Sequence, residues 1–329
     1  MTAAEPVRWG ILGAAGIAEF SFLPALAEAG DGRAVVVGAR DGDRADRWAT
    51  EFGLERGVQG YAPVIDDPAI EAVYIPLPNS LHAEWTIASL EAGKAVLCEK
   101  PLCGTVEDTE RVLVTARGTT GLLWEAFVFP FHDQIQRVRS SIAEGTIGDV
   151  REIWSRFHFR LDDPGDIRMS AKLAGGAARD VGCYLIRLAR LLFDAEPDLA
   201  HAIAGAVWEA EVDAELCGTL AFPGGRRLQL SCGFRSSYDT FARVIGDVGE
   251  LRMTNPFHPK PDDTFQILRD GRIVGTDPAA PAGERSFTPA IRHIHAVLRG
   301  EEEPRHLAVD EALGNARALA ALVMAARGP

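Results

Sequence analysis

Across the first 126 residues, short uninterrupted apolar runs alternate with amphipathic stretches of helical length, and this alternation limits the fold more than any other feature. Val7–Gly13, Arg33–Gly38, Ala72–Leu77, Ala95–Cys98 and Gly121–Ala126 read as buried strands. Ile17–Ala29, Asp43–Phe52, Ser80–Ala92 and Thr105–Arg117 read as helices between them, and Gly30, Gly53 and Gly93 close the first three. Apolar strands of this kind need cover on both faces, which a parallel sheet between two helical layers supplies. The rhythm changes after a helix around His132–Glu144. Val150–Leu161 alternates in polarity, as does a strand with one wet face. A helix near Ala177–Leu192 is followed by Ala200–Glu209, Ala214–Phe222 and Arg227–Phe234, the last two joined by a Pro223-Gly224-Gly225 turn. Further strands are expected at Phe241–Ile245 and Thr264–Leu268, and helices at Pro289–Leu298 and Asp310–Ala326. The pattern predicts an α/β chain: a doubly wound parallel sheet over residues 1–126, then an α+β domain on a mainly antiparallel open sheet over 127–329.

Charge and composition narrow the partners. Lys and Arg total 34 against 47 Asp and Glu, a formal net charge of -13, which disfavours a nucleic-acid backbone. No apolar run reaches the roughly 18 residues of a membrane span, and the N-terminus lacks the charged start and apolar stretch of a secretory leader. The five cysteines are odd in number and form no CxxC pair, so a reducing, cytoplasmic compartment is expected. Cys98 and Cys103 lack zinc partners at metal-site spacing, and His293 and His295, two apart on an expected helix, point to different faces; no metal is predicted. A small molecule is the expected partner. The strands between Val150 and Leu268 have no second helical layer to cover them, so a homodimer or homotetramer formed through that sheet is also expected.

The first strand runs into Gly10-Ile11-Leu12-Gly13-Ala14-Ala15-Gly16-Ile17, where a helix opens. Glycines there let a pyrophosphate approach the backbone, and the helix N-terminus favours the anion. The turn departs from the usual dinucleotide pattern because Ala15 stands where a second glycine is common. The same residues also suit an ordinary tight turn. At the end of the second strand, the position that holds a ribose-binding acid in NAD-preferring sites is Ala39, and Arg40 follows. Arginine suits a 2′-phosphate. NADP is therefore favoured, while Asp41 keeps NAD open.

Three ordered motifs carry a resemblance over nearly the whole chain. They are Pro78-Asn79-Ser80-Leu81-His82, Glu99-Lys100-Pro101, and Gly175-Gly176-Ala177-Ala178-Arg179-Asp180-Val181-Gly182-Cys183-Tyr184. Together they resemble the Gfo/Idh/MocA oxidoreductases. The resemblance implies a Rossmann domain that binds NAD(P), a β-sheet domain that binds substrate, and often a dimer or tetramer built sheet to sheet. Pro130 departs from it, standing where many relatives carry arginine, which leaves the substrate class open.

Lys100 follows a strand at the carboxyl end of the sheet, where open parallel sheets bind ligands, and Pro101 biases it toward an extended conformation. Its charge suits a carbonyl oxygen that changes during hydride transfer. Asp180 and Tyr184 are spaced to share one helix face, and relatives carry tyrosine or histidine at the latter position as acid/base. Tyrosine is the candidate proton donor, supported by the Lys100 ammonium, and Asp180 would hold a substrate hydroxyl or orient Lys100. Lys100, Asp180 and Tyr184 form the catalytic set. The cofactor set comprises Gly13, Ala14, Ala15, Gly16, Ile17, Arg40, Pro78, Asn79, His82, Glu99, Lys100 and Trp124. Asn79 and His82 serve equally as helix-capping residues, and Trp124 as packing. Arg168 and Asp180 fall on the substrate side.

The expected reaction interconverts a secondary alcohol and a ketone, or a hemiacetal and a lactone. Its carbohydrate-like substrates would be sugars, nucleotide-linked keto sugars, cyclitols or dihydrodiols. Two rival readings remain: redox-assisted glycoside cleavage with a tightly bound cofactor, and a non-catalytic dinucleotide-binding regulator.

Overall fold

The computed structural model describes residues 5–260, 262–279 and 284–328. Met1–Ala4, on which part of the leader argument rests, lie outside the described residues. The chain forms two compact units: one runs up to Val128 and takes in Arg285–Leu313, the other comprises Phe129–Glu284 and the chain from Gly314 onward. The sequence division after Ala126 does not anticipate that Arg285–Leu313 returns to the first unit. The helix Thr288–Leu298 explains the return. Its His295 is wholly buried; Trp9 Nε1 donates to His295 Nε2 at 2.8 Å, and the opposite nitrogen, Nδ1, donates to Asp31 at 2.5 Å. Two contacts separated by more than 260 residues in sequence are invisible to local periodicity.

In the first unit, β1 (Val7–Leu12), β2 (Gly32–Ala39), β3 (Arg56–Gln59), β4 (Ala72–Ile75), β5 (Ala95–Cys98) and β6 (Leu123–Glu125) form a six-stranded sheet. Its order is β3-β2-β1-β4-β5-β6 with every pairing parallel, the doubly wound Rossmann arrangement. Burial drives it: Trp9, Ile11, Val35, Val36, Val37, Tyr74 and Ile75 are all fully enclosed. β3 escaped the sequence reading because Arg-Gly-Val-Gln holds one apolar residue and lies at the sheet edge. The first helix also differs from expectation. Ala18–Phe22 is a π-helix and Leu23–Ala29 is α-helical, with Pro24 at the junction. Proline has no N–H to give the turn before it, which favours such a break in the ladder.

The second unit is built on β7 (Val150–Arg160), β8 (Asp198–Glu209), β9 (Val212–Phe222), β10 (Arg226–Gly233), β11 (Arg235–Gly246), β12 (Glu250–Met253), β13 (Thr264–Arg269) and β14 (Arg272–Pro278). Their order is β14-β13-β12-β11-β7-β10-β9-β8. All pairings are antiparallel except β7 with β10. Pro223-Gly224-Gly225 makes the β9–β10 turn, with Gly224 at φ 77°. The helix Cys183–Phe193 packs on one sheet face through Tyr184, Leu185, Leu188 and Leu192, all buried. The other face carries Trp154 and a ladder of ion pairs, Arg227–Glu152, Arg243–Glu250 and Arg252–Glu250. β12 and β14 are additional to the strands read from sequence. Glu250–Met253 is held in place across strands by Arg243 on Glu250, and β14 is a largely exposed edge.

Candidate active site

The first unit gathers its candidate residues at the carboxyl ends of β1, β2, β4 and β5. Gly13 leaves β1 at φ 115°, a backbone setting that favours glycine, and its amide donates to the Gly38 carbonyl at 2.8 Å. A β-carbon at Gly13 would come within 3.0 Å of Leu77 Cδ2. Gly16 and Ile17 open the helix, so their amides have no intrahelical acceptor and remain available to an anion. The turn therefore fits a pyrophosphate even with Ala15 in place of glycine.

Arg40 is exposed at the end of β2. Arg44, which the sequence reading passed over, donates through Nη2 to the Ala14 carbonyl at 2.8 Å and so braces the glycine turn. Both arginine charges act on Tyr61, countering the burial that pushes its phenol pKa up. Asp41, the residue that kept NAD open, caps the next helix by accepting from the Arg44 amide at 3.2 Å. A second arginine four positions after Arg40 was the available signal for Arg44.

Pro78 precedes the helix Asn79–Glu91, so Asn79 is its first residue and Pro78 takes the cap position. The Glu99–Leu102 turn is clamped from several sides. Tyr74 Oη donates to Glu99 Oε1 at 2.6 Å, and the Lys100 amide approaches Glu99 Oε2 at 3.3 Å. The Leu102 amide donates to Glu125 Oε1 at 2.7 Å. His82, wholly buried, lies with Nδ1 2.9 Å from the Pro101 carbonyl and Nε2 2.7 Å from that of Leu77. Lys100 itself is half-buried and the Lys100–Pro101 peptide is cis. Glu99 and His82, both in the sequence-derived cofactor set, are thus engaged in holding the turn. Trp124, in the same set, is only 1% exposed; its Nε1 donates to the Arg305 carbonyl at 3.0 Å and its ring meets that of His293. That is a core position, and it leaves the indole no open face for a cofactor.

In the second unit, the Gly175–Tyr184 motif forms the entry to the Cys183–Phe193 helix. Gly175 and Gly176 are dictated by close approach: a β-carbon would lie 2.3 Å from the Arg168 carbonyl oxygen at the first and 2.3 Å from Asp213 Oδ1 at the second. Ala178–Gly182 is a π-helix, a widened turn frequent at functional sites. The Cys183 thiol donates to the Arg179 carbonyl at 3.0 Å. Asp213 is only 1% exposed and accepts from the Ala178 amide at 2.6 Å, fixing the helix entry; burial pushes its carboxyl pKa up. Nothing in its strand sequence distinguishes this acid from a solvated one.

Asp180 Oδ2 accepts from Arg168 Nε at 3.0 Å, and Arg168 Nη1 also reaches Asp166. The Asp180 charge, and after it that of Asp166, raise the Arg168 pKa against the opposing effect of burial. Tyr184 is 5% exposed in an aromatic nest, with ring centroids 5.2 Å from Phe257, 5.6 Å from His258, 5.8 Å from Phe157 and 6.1 Å from Phe129. The structure thus brings the two predicted substrate-side residues, Arg168 and Asp180, into contact. Phe257 and His258, absent from the sequence-derived set, come from a loop more than 70 residues further along the chain. Among the described residues, no three His, Cys, Asp or Glu converge as a metal site would require.

Comparison with known proteins places this geometry. A family model described as an oxidoreductase family with NAD-binding Rossmann fold matches residues 7–127, and one described as a GFO/IDH/MocA C-terminal domain matches residues 135–252. The dTDP-3,4-didehydro-2,6-dideoxy-alpha-D-glucose 3-reductase of Saccharopolyspora spinosa is 34% identical over 327 residues, covering 95% of this chain and 98% of the relative. A D-xylose 1-dehydrogenase (NADP(+)) of Haloferax volcanii is 35% identical over 271 residues, 82% of each chain. A 3-ketoreductase from Actinomadura kijaniata, crystallised with NADP and TDP-benzene, superposes with a TM-score of 0.87 at 33% identity over 98% of both chains. With both family domains in order and these relatives matched along most of their length, the chain belongs to the Gfo/Idh/MocA family of NAD(P)-dependent oxidoreductases.

Proposed function

We propose that this enzyme interconverts a secondary alcohol and a ketone, or a cyclic hemiacetal and a lactone, on a carbohydrate-like substrate, with NADP preferred over NAD. The observation that carries the reading is Lys100. Its ammonium is borne on a turn that buried groups clamp at the carboxyl end of a Rossmann sheet. When bound, the cofactor would supply the hydride acceptor as NADP+ in oxidation and the hydride donor as NADPH in reduction. Gly13, Ala14, Ala15, Gly16 and Ile17 would hold its pyrophosphate, and Arg40 and Arg44 its 2′-phosphate. In the reductive direction, Tyr184 Oη gives its proton to the carbonyl oxygen, and in oxidation it takes the hydroxyl proton back. Lys100 stabilises the negative charge that develops on the oxygen. Asp180, held by Arg168, accepts a hydrogen bond from a neighbouring substrate hydroxyl and so orients the reacting carbon.

Among substrates, the nucleotide-linked keto sugars are favoured over free sugars, cyclitols and dihydrodiols, since dTDP-keto-sugar reductases of four organisms match this chain at 33–37% identity. The test is to incubate purified protein with NADPH and panels of dTDP-keto sugars, free sugars and diols while following absorbance of the reduced cofactor. Substrate-dependent NADPH oxidation is expected, and an absence of turnover on every carbohydrate class would overturn the reading.

Two broader features belong to the same proposal. The sheet face bearing Trp154 and its arginine–glutamate ladder is proposed as the homo-oligomer surface, which light scattering would contradict with a stable monomer at micromolar concentration. A reducing, cytoplasmic setting is supported by five free thiols, four of them buried.

A further inference from the structure

His82 occupies an unusual position. Both its ring nitrogens face main-chain carbonyls, Nδ1 that of Pro101 at 2.9 Å and Nε2 that of Leu77 at 2.7 Å. A neutral imidazole has one N–H to give, and burial, the largest influence on this ring, holds it toward the neutral form. The two contacts also differ in reach. Leu77 lies five residues before His82 in the same loop-and-helix start. Pro101 lies nineteen residues after it, on the turn that carries Lys100. The second contact ties two separate loops together, and it falls on the carbonyl of the residue that follows the lysine.

We propose that His82 carries its one N–H on Nδ1, donates it to the Pro101 carbonyl, and through that bond is a positioning residue for Lys100. Resting on the reading of Lys100 given above, the proposal removes His82 from the direct cofactor contacts and gives it control over the placement of the charge. Other contacts hold neighbouring parts of the turn: Tyr74 Oη and the Lys100 amide meet the Glu99 side chain, and Glu125 holds the Leu102 amide, the N–H of the same peptide unit whose carbonyl His82 meets. His82 at the carbonyl and Glu125 at the N–H hold the Pro101–Leu102 peptide unit from its two ends.

The lysine content of the chain allows a test that needs no substrate. There are four lysines, Lys94, Lys100, Lys172 and Lys260. Lys172 is exposed and serves as a reference. Lys94 is buried, with Nζ donating to the Asp67 and Ile70 carbonyls at 2.7 and 2.8 Å, so its labelling reports loosening of the first unit. Trace acetylation with acetic anhydride, read by mass spectrometry across pH, gives the Lys100 rate relative to Lys172 in the full-length protein. His82→Asn places an amide N–H where Nδ1 stands, His82→Gln places one where Nε2 stands, and His82→Leu offers neither. The expected result is a wild-type Lys100 profile in His82→Asn. In His82→Gln and His82→Leu the relative rate should change about threefold or more, the scale of one lost hydrogen bond, with Lys94 unchanged throughout. The proposal is overturned if His82→Asn shifts as far as His82→Gln, if no variant shifts, or if Lys94 labelling rises in step with Lys100. Should His82→Leu fail to fold, the Asn and Gln pair decides alone. Because no turnover is read, failure here is separate from failure of the catalytic reading, which Lys100→Met tests in the substrate assay.

Discussion

Arg168 Nε donates to Asp180 Oδ2 at 3.0 Å, joining the two residues expected on the substrate side into one half-buried ion pair. The carboxylate is thereby pre-oriented. The pair predicts strong coupling. Arg168→Met should lower kcat/KM about tenfold or more, because it leaves Asp180 without its counter-charge, and Asp180→Asn should do likewise. The double variant should be little worse than either single one, the non-additivity expected of groups that act as a unit. Additive losses in steady-state kinetics would show that the two residues serve separate purposes.

Cofactor discrimination should divide between the two arginines. Arg40→Ala should weaken NADPH binding about tenfold or more while leaving NADH nearly unchanged, since only NADPH carries the 2′-phosphate. Arg44→Ala should weaken both, because Arg44 also braces the Ala14 carbonyl in the glycine turn. Fluorescence titration of the two cofactors checks this. Equal effects of Arg40→Ala on both would contradict the NADP assignment.

Trp124 gives a test of the opposite kind. Trp124→Phe deletes the donor to the Arg305 carbonyl in a dry setting and should destabilise the protein by about 1–3 kcal/mol. NADPH affinity should be unaltered. A tenfold rise in the NADPH Kd without loss of stability would place the indole against the cofactor after all.

Acid sensitivity of the second unit should trace in part to Glu250. Burial alone would raise its carboxyl pKa, but the Arg243 and Arg252 hydrogen bonds outweigh burial and hold it from an ordinary 4.5 down to about 2. A carboxyl whose pKa is lowered on folding contributes stability that is full above its unfolded value and lost as pH falls toward the folded one. Urea midpoints of wild type should therefore exceed those of Glu250→Gln at pH 6, with the gap narrowing from about pH 4.5 downward. A gap that is constant with pH would remove Glu250 from the account.

The parts legible in the sequence are those written locally. Buried strands such as Val7–Leu12 and Ala72–Ile75 announce themselves by unbroken apolar runs, and the glycines at Gly13 and Gly176 by the turns they permit. β12 and β14 were not legible. Arg-Ile-Val-Gly-Thr-Asp-Pro becomes a strand only by pairing with β13, and Glu-Leu-Arg-Met only by the cross-strand hold of Arg243 on Glu250. The site shows the same division. The Lys100 turn and the Asp180–Tyr184 spacing stand in motifs. The groups that fix them, Asp213 on the Ala178 amide and His258 against the Tyr184 ring, arrive from distant strands and loops with no local mark. His82 was legible as a motif member, but its buried place between two carbonyls was not.

Proton exchange by Tyr184 is the step of the proposed reaction that a single atom can decide. Tyr184→Phe keeps the ring in its nest of Phe129, Phe157, Phe257 and His258 and removes only the hydroxyl. With a substrate identified in the NADPH assay, the account predicts a fall in kcat of about 10²–10⁴-fold, the size of a general acid–base contribution, with NADPH affinity unchanged. Near-normal turnover of Tyr184→Phe across the pH range would contradict the account.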